Sequence, residues 1–291
     1  MNRLLKLYYG IETNLKDVGY FEYLQNLYYF ACLSHIQIFL EVYQYYRYYM
    51  HQCGLQGYTC IKNFNEDIIT QRHILFLYHQ EPFQFSSYLK VFLQPLSLPP
   101  IKICDIKESW ICKIDHVKEL VKQYAYSFKH NPELVSLIYY YTGLGENCIC
   151  ILNEILQINP QASIPLTLSL RQPISEYVHD LLNPINYEMS TRIRHLVNLY
   201  RSHLIEKDDL QTILETYCFD VYELLYFYAR FFYPSYFFDE VLTQKMSTKR
   251  IQEYFFMIQQ DKQNYTMITQ LLSFYVSLPK IDWITRQNMV L

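Results

Sequence analysis

The chain has 291 residues, 51% of them hydrophobic, and a formal net charge of −3 at pH 7. This is enough apolar material for one large domain or for two lobes of unequal size. The slightly negative charge argues against a nucleic-acid partner held by bulk electrostatics, because such binding needs a clustered basic face. Tyrosine is unusually frequent at 31 residues, and every buried phenol needs a hydrogen-bond partner.

The cysteine spacing and the hydropathy pattern bear on disulfides, secretion and membrane insertion. The eight cysteines form no C-x-x-C pair, so we expect reduced and mostly buried thiols. The apolar run at the N-terminus is interrupted by Glu12 and is too short for a signal peptide. No window of about 18 residues is free of both charged and strongly polar side chains, so no membrane span is predicted. We therefore expect no secretion through the general pathway.

The first eighty residues predict the order strand, strand, helix, strand, strand. After a short helix over residues 2–9, residues 19–34 read as two β-type runs with a turn at Gln25 and Asn26. Helical periodicity then covers residues 37–52 and ends at Cys53 and Gly54. Two more strands are predicted over residues 59–64 and 72–79, separated by a turn.

The composition changes near residues 79–82, and three prolines follow at 95, 99 and 100, as in a linker. We predict an N-terminal lobe over residues 1–81 and a helical C-terminal lobe over residues 82–291. No strand pair is expected in the second lobe, where Asn131 and Ser247 provide helix start signals. The predicted helices cover residues 113–129, 134–141, 146–158, 188–205, 208–217, 220–233, 235–245 and 248–276. A small mixed lobe followed by a helical one belongs to the α+β class.

Residues 222–241 form the most aromatic stretch of the chain. Their apolar spacing predicts a buried helix pair with a bend at Pro234. A charge among so many aromatic side chains is costly unless it is paired. We therefore predict that Arg230 and Asp239 form a buried or half-buried ion pair.

Three blocks of sequence resemble one known family. Residues 110–121 read WICKIDHVKELV, residues 139–151 read YYYTGLGENCICI, and residues 224–239 read LLYFYARFFYPSYFFD. They resemble the W-x-x-K-I-D-x-x-E, Y-Y-x-G-L-x-E-N-x-I and L-L-Y-A-R-L-x-Y-P-x-x-F-F-D blocks of the CotS/YutH-type spore-coat kinase-like family of endospore-forming bacteria. The family belongs to the protein kinase and aminoglycoside phosphotransferase superfamily. The resemblance implies a bilobal protein-kinase-like fold over nearly the whole chain.

The residues for phosphoryl transfer do not accompany this resemblance. An active member needs an H-x-D loop, an Asn five residues later, and a second Asp, because these groups orient the hydroxyl and hold magnesium. Residues 163–171, where the loop is expected, contain no Asp, Asn or His. The six glycines form no phosphate-binding pattern. We therefore predict a pseudokinase without catalytic residues, metal or cofactor.

The resemblance also gives the expected role. The leading hypothesis is a binding or regulatory protein of sporulation whose partners are other spore-coat or sporulation proteins. It would be made in the cytoplasm and deposited on the forespore surface or spore coat. A kinase-like domain that binds a nucleotide or metabolite as a signal, without turning it over, is a further possibility.

One segment offers an enzymatic alternative. His179 and Asp180 precede Asn183 and Asn186 around Pro184, and Asp180 lies where the resemblance would put a metal-binding Asp. In this alternative the chain is a small-molecule phosphotransferase that uses ATP and magnesium. Its displaced catalytic residues are Asp180, Asn183 and Asn186. The competing interpretation is that an Asp and two Asn occupy loop and cap positions, where short polar side chains are common.

A second polar group lies on the predicted helix over residues 188–205. His195 and His203 share it with three arginines at 192, 194 and 201. The group is either an anion-binding patch or a solvated helix face, and the solvated face is the favoured interpretation.

Overall fold

The computed structural model describes residues 1–15, 17–123 and 131–284. It contains a small antiparallel sheet and many helices, which confirms the predicted α+β class. The chain divides into two compact units, each built from two segments. The first unit comprises Met1–Ser97 and Leu166–Ile205, and the second unit comprises Leu98–Pro165 and Glu206–Leu291. The division into domains 1–81 and 82–291 is drawn differently and stays a prediction.

The elements follow one another along the four segments. The first segment contains α1 (Asn2–Tyr9), β1 (Gly19–Tyr23), β2 (Asn26–Cys32), α2 (Ile36–Gln52), β3 (Tyr58–Ile61), β4 (Ile69–Thr70), β5 (His73–Tyr78) and α3 (Phe85–Phe92). The next contains β6 (Ile101–Lys102), α4 (Ile103–Gln123), α5 (Pro132–Ile158) and β7 (Ser163–Ile164). The third contains β8 (Leu166–Leu170), α6 (Val178–Leu181), a 3-10 turn (Pro184–Asn186), β9 (Tyr187–Thr191) and α7 (Arg192–Arg201). The last contains α8 (Lys207–Thr216), α9 (Val221–Phe232), α10 (Ser235–Leu242) and α11 (Thr248–Leu272).

The main sheet of the first unit is antiparallel and has the strand order β1-β2-β5-β3, with the short β4 also paired to β5. The predicted two strands before α2 are confirmed, and of the three strands after it β3 and β5 were predicted whereas the two-residue β4 was not. Leu24 and Gln25 join β1 to β2 with φ values of 49° and 64°, the left-handed backbone that tight hairpin turns require. Leu5 of α1 packs with Phe21, Phe30 and Leu75 against the sheet.

The prediction that no strand pair follows residue 81 is wrong. β8 pairs with β9 from Leu166 opposite Thr191 to Leu170 opposite Tyr187, and β6 pairs with β7. The strand β9 leads directly into α7 without an intervening turn. For this reason the sequence pattern predicts one continuous helix over residues 188–205, where the structure has a strand and a helix. In β8, Thr167 interrupts the apolar run, yet it is buried and donates to the Phe92 carbonyl at 2.9 Å.

The second unit is mainly helical. α9 and α10 form the expected buried helix pair on either side of Pro234, and all residues from 223 to 232 are buried. The start signals are also confirmed, because Asn131 caps the Leu134 amide at 3.1 Å and Ser247 caps the Arg250 amide at 3.2 Å. The helix predicted over residues 113–129 begins earlier, at Ile103, and residues 124–129 lie outside the described residues.

α5 is one helix where two were predicted. The predicted helices over residues 134–141 and 146–158 leave a gap that contains the glycines at 143 and 145, but the helix continues through both. A Cβ at Gly145 would lie 2.9 Å from Ile114 and 3.2 Å from Phe238. Gly145 is therefore explained by the close packing of α5 against α4 and α10, which the sequence pattern alone does not reveal.

The predicted ion pair between Arg230 and Asp239 is wrong. Asp239 is half exposed and binds the Lys113 ammonium group of α4 at 2.7 Å. Arg230 is buried, and its Nε and Nη2 atoms form no hydrogen bond. The error arises because helix packing brings Lys113 to Asp239 from a distant part of the sequence.

The cysteine expectation is correct only in part. All eight are thiols, but only Cys148 is buried, and Cys32, Cys112, Cys150 and Cys218 are exposed. Among the described residues, no helix is long and apolar enough to cross a membrane.

Candidate functional site

Asp180, Asn183 and Asn186 lie close together in the first unit, on α6 and the 3-10 turn that follows it. Both carboxylate oxygens of Asp180 accept hydrogen bonds from protein hydroxyl groups. The Tyr20 hydroxyl donates to Oδ1 at 2.6 Å, and the Ser175 hydroxyl donates to Oδ2. The carboxylate is therefore fixed by groups from β1 and from the loop before α6.

The two asparagines stabilise the turn itself. Oδ1 of Asn183 accepts from the Ile185 amide at 3.1 Å, and its Nδ2 donates to the Tyr20 hydroxyl at 2.8 Å. Nδ2 of Asn186 donates to the Asp180 carbonyl at 2.8 Å. These are the contacts of loop and cap residues, which short polar side chains commonly make.

Three tyrosine hydroxyls hold the backbone of the same segment. They donate to the carbonyls of His179 (from Tyr58, 3.0 Å), Leu181 (from Tyr187, 2.5 Å) and Leu182 (from Tyr46, 2.7 Å). With Asn186 on the Asp180 carbonyl, every carbonyl from residue 179 to residue 182 accepts a side-chain hydrogen bond. We call Tyr46, Tyr58 and Tyr187 the tyrosine clamp. It satisfies carbonyls that the end of a short helix leaves without partners.

The electrostatics keep these phenols protonated. Burial raises the pKa of Tyr46, Tyr58 and Tyr187 well above the ordinary value. Burial also raises the pKa of Tyr20, and its hydrogen bond to Asp180 raises it further. Each hydroxyl therefore remains a donor throughout the neutral range.

His195 extends the clamp into the core. Its Nδ1 accepts from the Leu170 amide at 3.1 Å, so its Nε2 carries the proton and donates to the Tyr88 hydroxyl at 3.1 Å. Tyr88 and Tyr187 hydroxyls are 2.9 Å apart, and Tyr187 uses its proton on the Leu181 carbonyl. Tyr88 must then donate to Tyr187. The result is a directed chain of hydrogen bonds from the Leu170 amide to the Leu181 carbonyl.

The solvated-face interpretation of the histidine and arginine group is wrong. His195 and Arg192 are buried, because α7 packs on β8 and β9. Arg194 forms an ion pair with Glu188 of β9. His203 is exposed and lies beyond the end of α7, so the two histidines do not share a helix face.

Sequence reasoning missed the residues that organise this site. Tyr20, Tyr46 and Tyr58 come from distant positions. Ser175 and Tyr187 lie close in sequence to the groups they bind, and no spacing rule identified any of the five. The available signal was the abundance of tyrosine, since each buried phenol must find an acceptor. Within the ranges that the structure describes, no group of three His, Cys, Asp or Glu side chains is arranged to hold a metal ion.

No protein-family model matches the chain, and comparison with curated proteins and with solved structures gives no match either. The resemblance of residues 110–121, 139–151 and 224–239 to the spore-coat kinase-like family therefore stays a prediction.

The buried histidine predicts a pH dependence of stability. Burial lowers the pKa of His195 from 6.5 to about 3. Below pH 6.5 the unfolded chain takes up a proton that the folded chain refuses, so stability falls as the pH drops from 6.5 towards 3. Between pH 7 and pH 5 this group should cost about 2 kcal/mol of unfolding free energy. Urea denaturation at both pH values measures the loss.

The comparison variants are His195→Gln and, as a control, His203→Gln at an exposed position. Between pH 7 and pH 5, His195→Gln should lose clearly less unfolding free energy than the wild type. His203→Gln should lose as much as the wild type. Parallel pH profiles for the wild type and His195→Gln would contradict the prediction.

Proposed function

We propose that the chain is a catalytically inactive kinase-like protein that acts by binding other proteins in sporulation or in the spore coat. The observation that carries the inactivity is the state of the Asp180 carboxylate. A magnesium ligand must offer oxygen lone pairs to the ion. Both Asp180 oxygens already accept hydroxyl hydrogen bonds, from Tyr20 and Ser175. Each of these hydrogen bonds uses one lone pair of an Asp180 oxygen and so competes with a metal ion for the carboxylate, and among the described residues no group of three His, Cys, Asp or Glu side chains is arranged to hold a metal ion.

The asparagines support the same proposal. The carbonyl oxygen of Asn183, which would serve as a metal ligand, caps the Ile185 amide, and Asn186 turns its amide group to the backbone of Asp180. Each group is better explained as part of a rigid turn than as part of a catalytic centre. This favours the binding protein over the ATP- and magnesium-dependent phosphotransferase.

The arrangement of the three sequence blocks supports the kinase-like assignment. Residues 110–121 lie in α4, residues 139–151 lie in α5, and residues 224–239 span α9 and α10. These helices pack on one another within the second unit. The contacts between blocks include a stack of Trp110 on Tyr233 at 3.9 Å and the Lys113–Asp239 pair at 2.7 Å. The residues that carry the resemblance are thus mutual packing partners.

A thermal-shift titration with ATP and magnesium tests the inactivity. A ligand that binds only the folded state at a hundredfold excess over its dissociation constant adds about 2.7 kcal/mol of stability. We expect no magnesium-dependent rise of the midpoint in the wild type and the same result in Asp180→Asn. A magnesium-dependent rise that Asp180→Asn abolishes would instead establish the phosphotransferase alternative. A rise with ATP that needs no magnesium and yields no product would favour a nucleotide sensor.

The location of the protein tests the coat role. In sporulating cells, a fluorescently tagged chain should collect at the forespore surface, because the resemblance assigns it to the coat. Untagged fluorescent protein expressed from the same promoter is the control. A uniform cytoplasmic signal throughout sporulation would contradict this part of the proposal while leaving the inactivity unaffected.

A further inference from the structure

The second unit contains a buried arginine with two nitrogens that form no hydrogen bond. Arg230 on α9 is only 4% exposed, yet its Nε and Nη2 atoms form no hydrogen bond. A buried guanidinium group normally has an anion or several acceptors, because an unpaired buried charge loses its hydration without compensation. Arg230 therefore requires an explanation that the packing of the fold does not provide.

The nearest acid in the sequence is engaged elsewhere. Asp239 binds Lys113 at 2.7 Å and is 56% exposed in its side chain. Arg230 lies in the sequence between Tyr226 of α9 and Tyr233, which directly follows the helix. Trp110 stacks on both tyrosine rings at centroid distances of 6.1 and 3.9 Å. Burial raises the pKa of Tyr233 while the charge of Arg230 opposes this, so the guanidinium lies within electrostatic range of that phenol. Its neighbours at i−4, i−3 and i+3 in the sequence, Tyr226, Phe227 and Tyr233, are thus all aromatic.

The geometry of the two unpaired atoms indicates the kind of ligand. Nε and Nη2 lie on the same edge of the guanidinium plane. This edge presents two parallel N–H groups, which match the two oxygens of a carboxylate or phosphate group. A single water molecule cannot accept both hydrogen bonds in that parallel geometry as well as an oxyanion does.

A second unpaired donor occurs at the same helix junction. Ser235 is the first residue of α10, directly after Pro234, and its buried hydroxyl group has no hydrogen-bond partner. Pro234 provides no side-chain cap for this helix. The positive end of the helix dipole favours an anion here as well.

We propose that the junction of α9 and α10 is a binding site for a small oxyanion, a carboxylate or a phosphate. The Nε–Nη2 edge of Arg230 holds two of its oxygens, and the Ser235 hydroxyl is a further donor. The site belongs to the second unit and uses none of the residues around Asp180, so it is independent of the proposed function.

Thermal denaturation with sodium phosphate and with sodium acetate tests this site, against sodium chloride at equal ionic strength. Either oxyanion at tenfold its dissociation constant should raise the wild-type midpoint by about 3 °C. A response to phosphate alone assigns a phosphate ligand, and a response to acetate assigns a carboxylate.

Arg230→Met should abolish the response, because it removes both N–H groups and keeps a long side chain among the aromatic rings. In chloride this variant should be at least as stable as the wild type, because an unpaired buried charge has been removed. Arg250→Met is the matched control, since Arg250 is already paired with Glu240 and Glu253. It should respond to the oxyanion as the wild type does.

A second readout does not depend on a variant at position 230. The chain has two tryptophans, so Trp283→Phe leaves Trp110, which lies against Tyr233, as the only indole. Its emission should change with oxyanion concentration along the same binding curve. The proposal is overturned if neither oxyanion changes the midpoint or the emission, or if Arg230→Met responds as strongly as the wild type.

Discussion

The first unit depends on one set of interactions, the hydrogen bonds from the tyrosine clamp to the carbonyls of His179, Leu181 and Leu182. Tyr46 comes from α2, Tyr58 from β3 and Tyr187 from β9, so the clamp ties three elements to one short helix. An unsatisfied buried carbonyl is expensive, and a neutral phenol is a donor that burial does not ionise. These hydrogen bonds fix the backbone around Asp180. They thereby position its carboxylate next to Tyr20 and Ser175.

The polar chain around His195 in the first unit and Arg230 in the second unit differ in how their donors are satisfied. In the first unit, His195 and the tyrosines around it form a chain in which every proton has an acceptor. In the second unit, the Nε–Nη2 edge of Arg230 has none. A polar network whose hydrogen bonds are all satisfied makes a rigid scaffold. The unpaired Nε–Nη2 edge of Arg230 is instead where we propose that an oxyanion binds. The carboxylate of Asp180 thus has hydrogen bonds at both oxygens, whereas two nitrogens of Arg230 have none.

Local signals in the sequence predicted those parts of the fold that local physics controls. The β1–β2 hairpin, the break at Pro234 and the caps at Asn131 and Ser247 each depend on residues close together in the chain. The β8–β9 pair, the Lys113–Asp239 contact and the close packing at Gly145 join distant segments, and no local pattern encodes them. The same distinction applies to the site. Asp180, Asn183 and Asn186 were identified as a group from their spacing, but their partner Tyr20 lies on a remote strand.

Native-state hydrogen exchange at the backbone amides of Leu182 and Asn183 tests the clamp most directly. These amides bond to the carbonyls of Val178 and Asp180, within the segment that the clamp holds. Removing one hydroxyl leaves a buried carbonyl unsatisfied at a cost of about 1 to 3 kcal/mol, or roughly a tenfold to hundredfold faster exchange. We expect this acceleration in Tyr46→Phe and in Tyr187→Phe. Tyr49→Phe, whose buried hydroxyl bonds to Thr167 instead, should leave these amides unchanged. Equal exchange rates in all three variants would contradict the account.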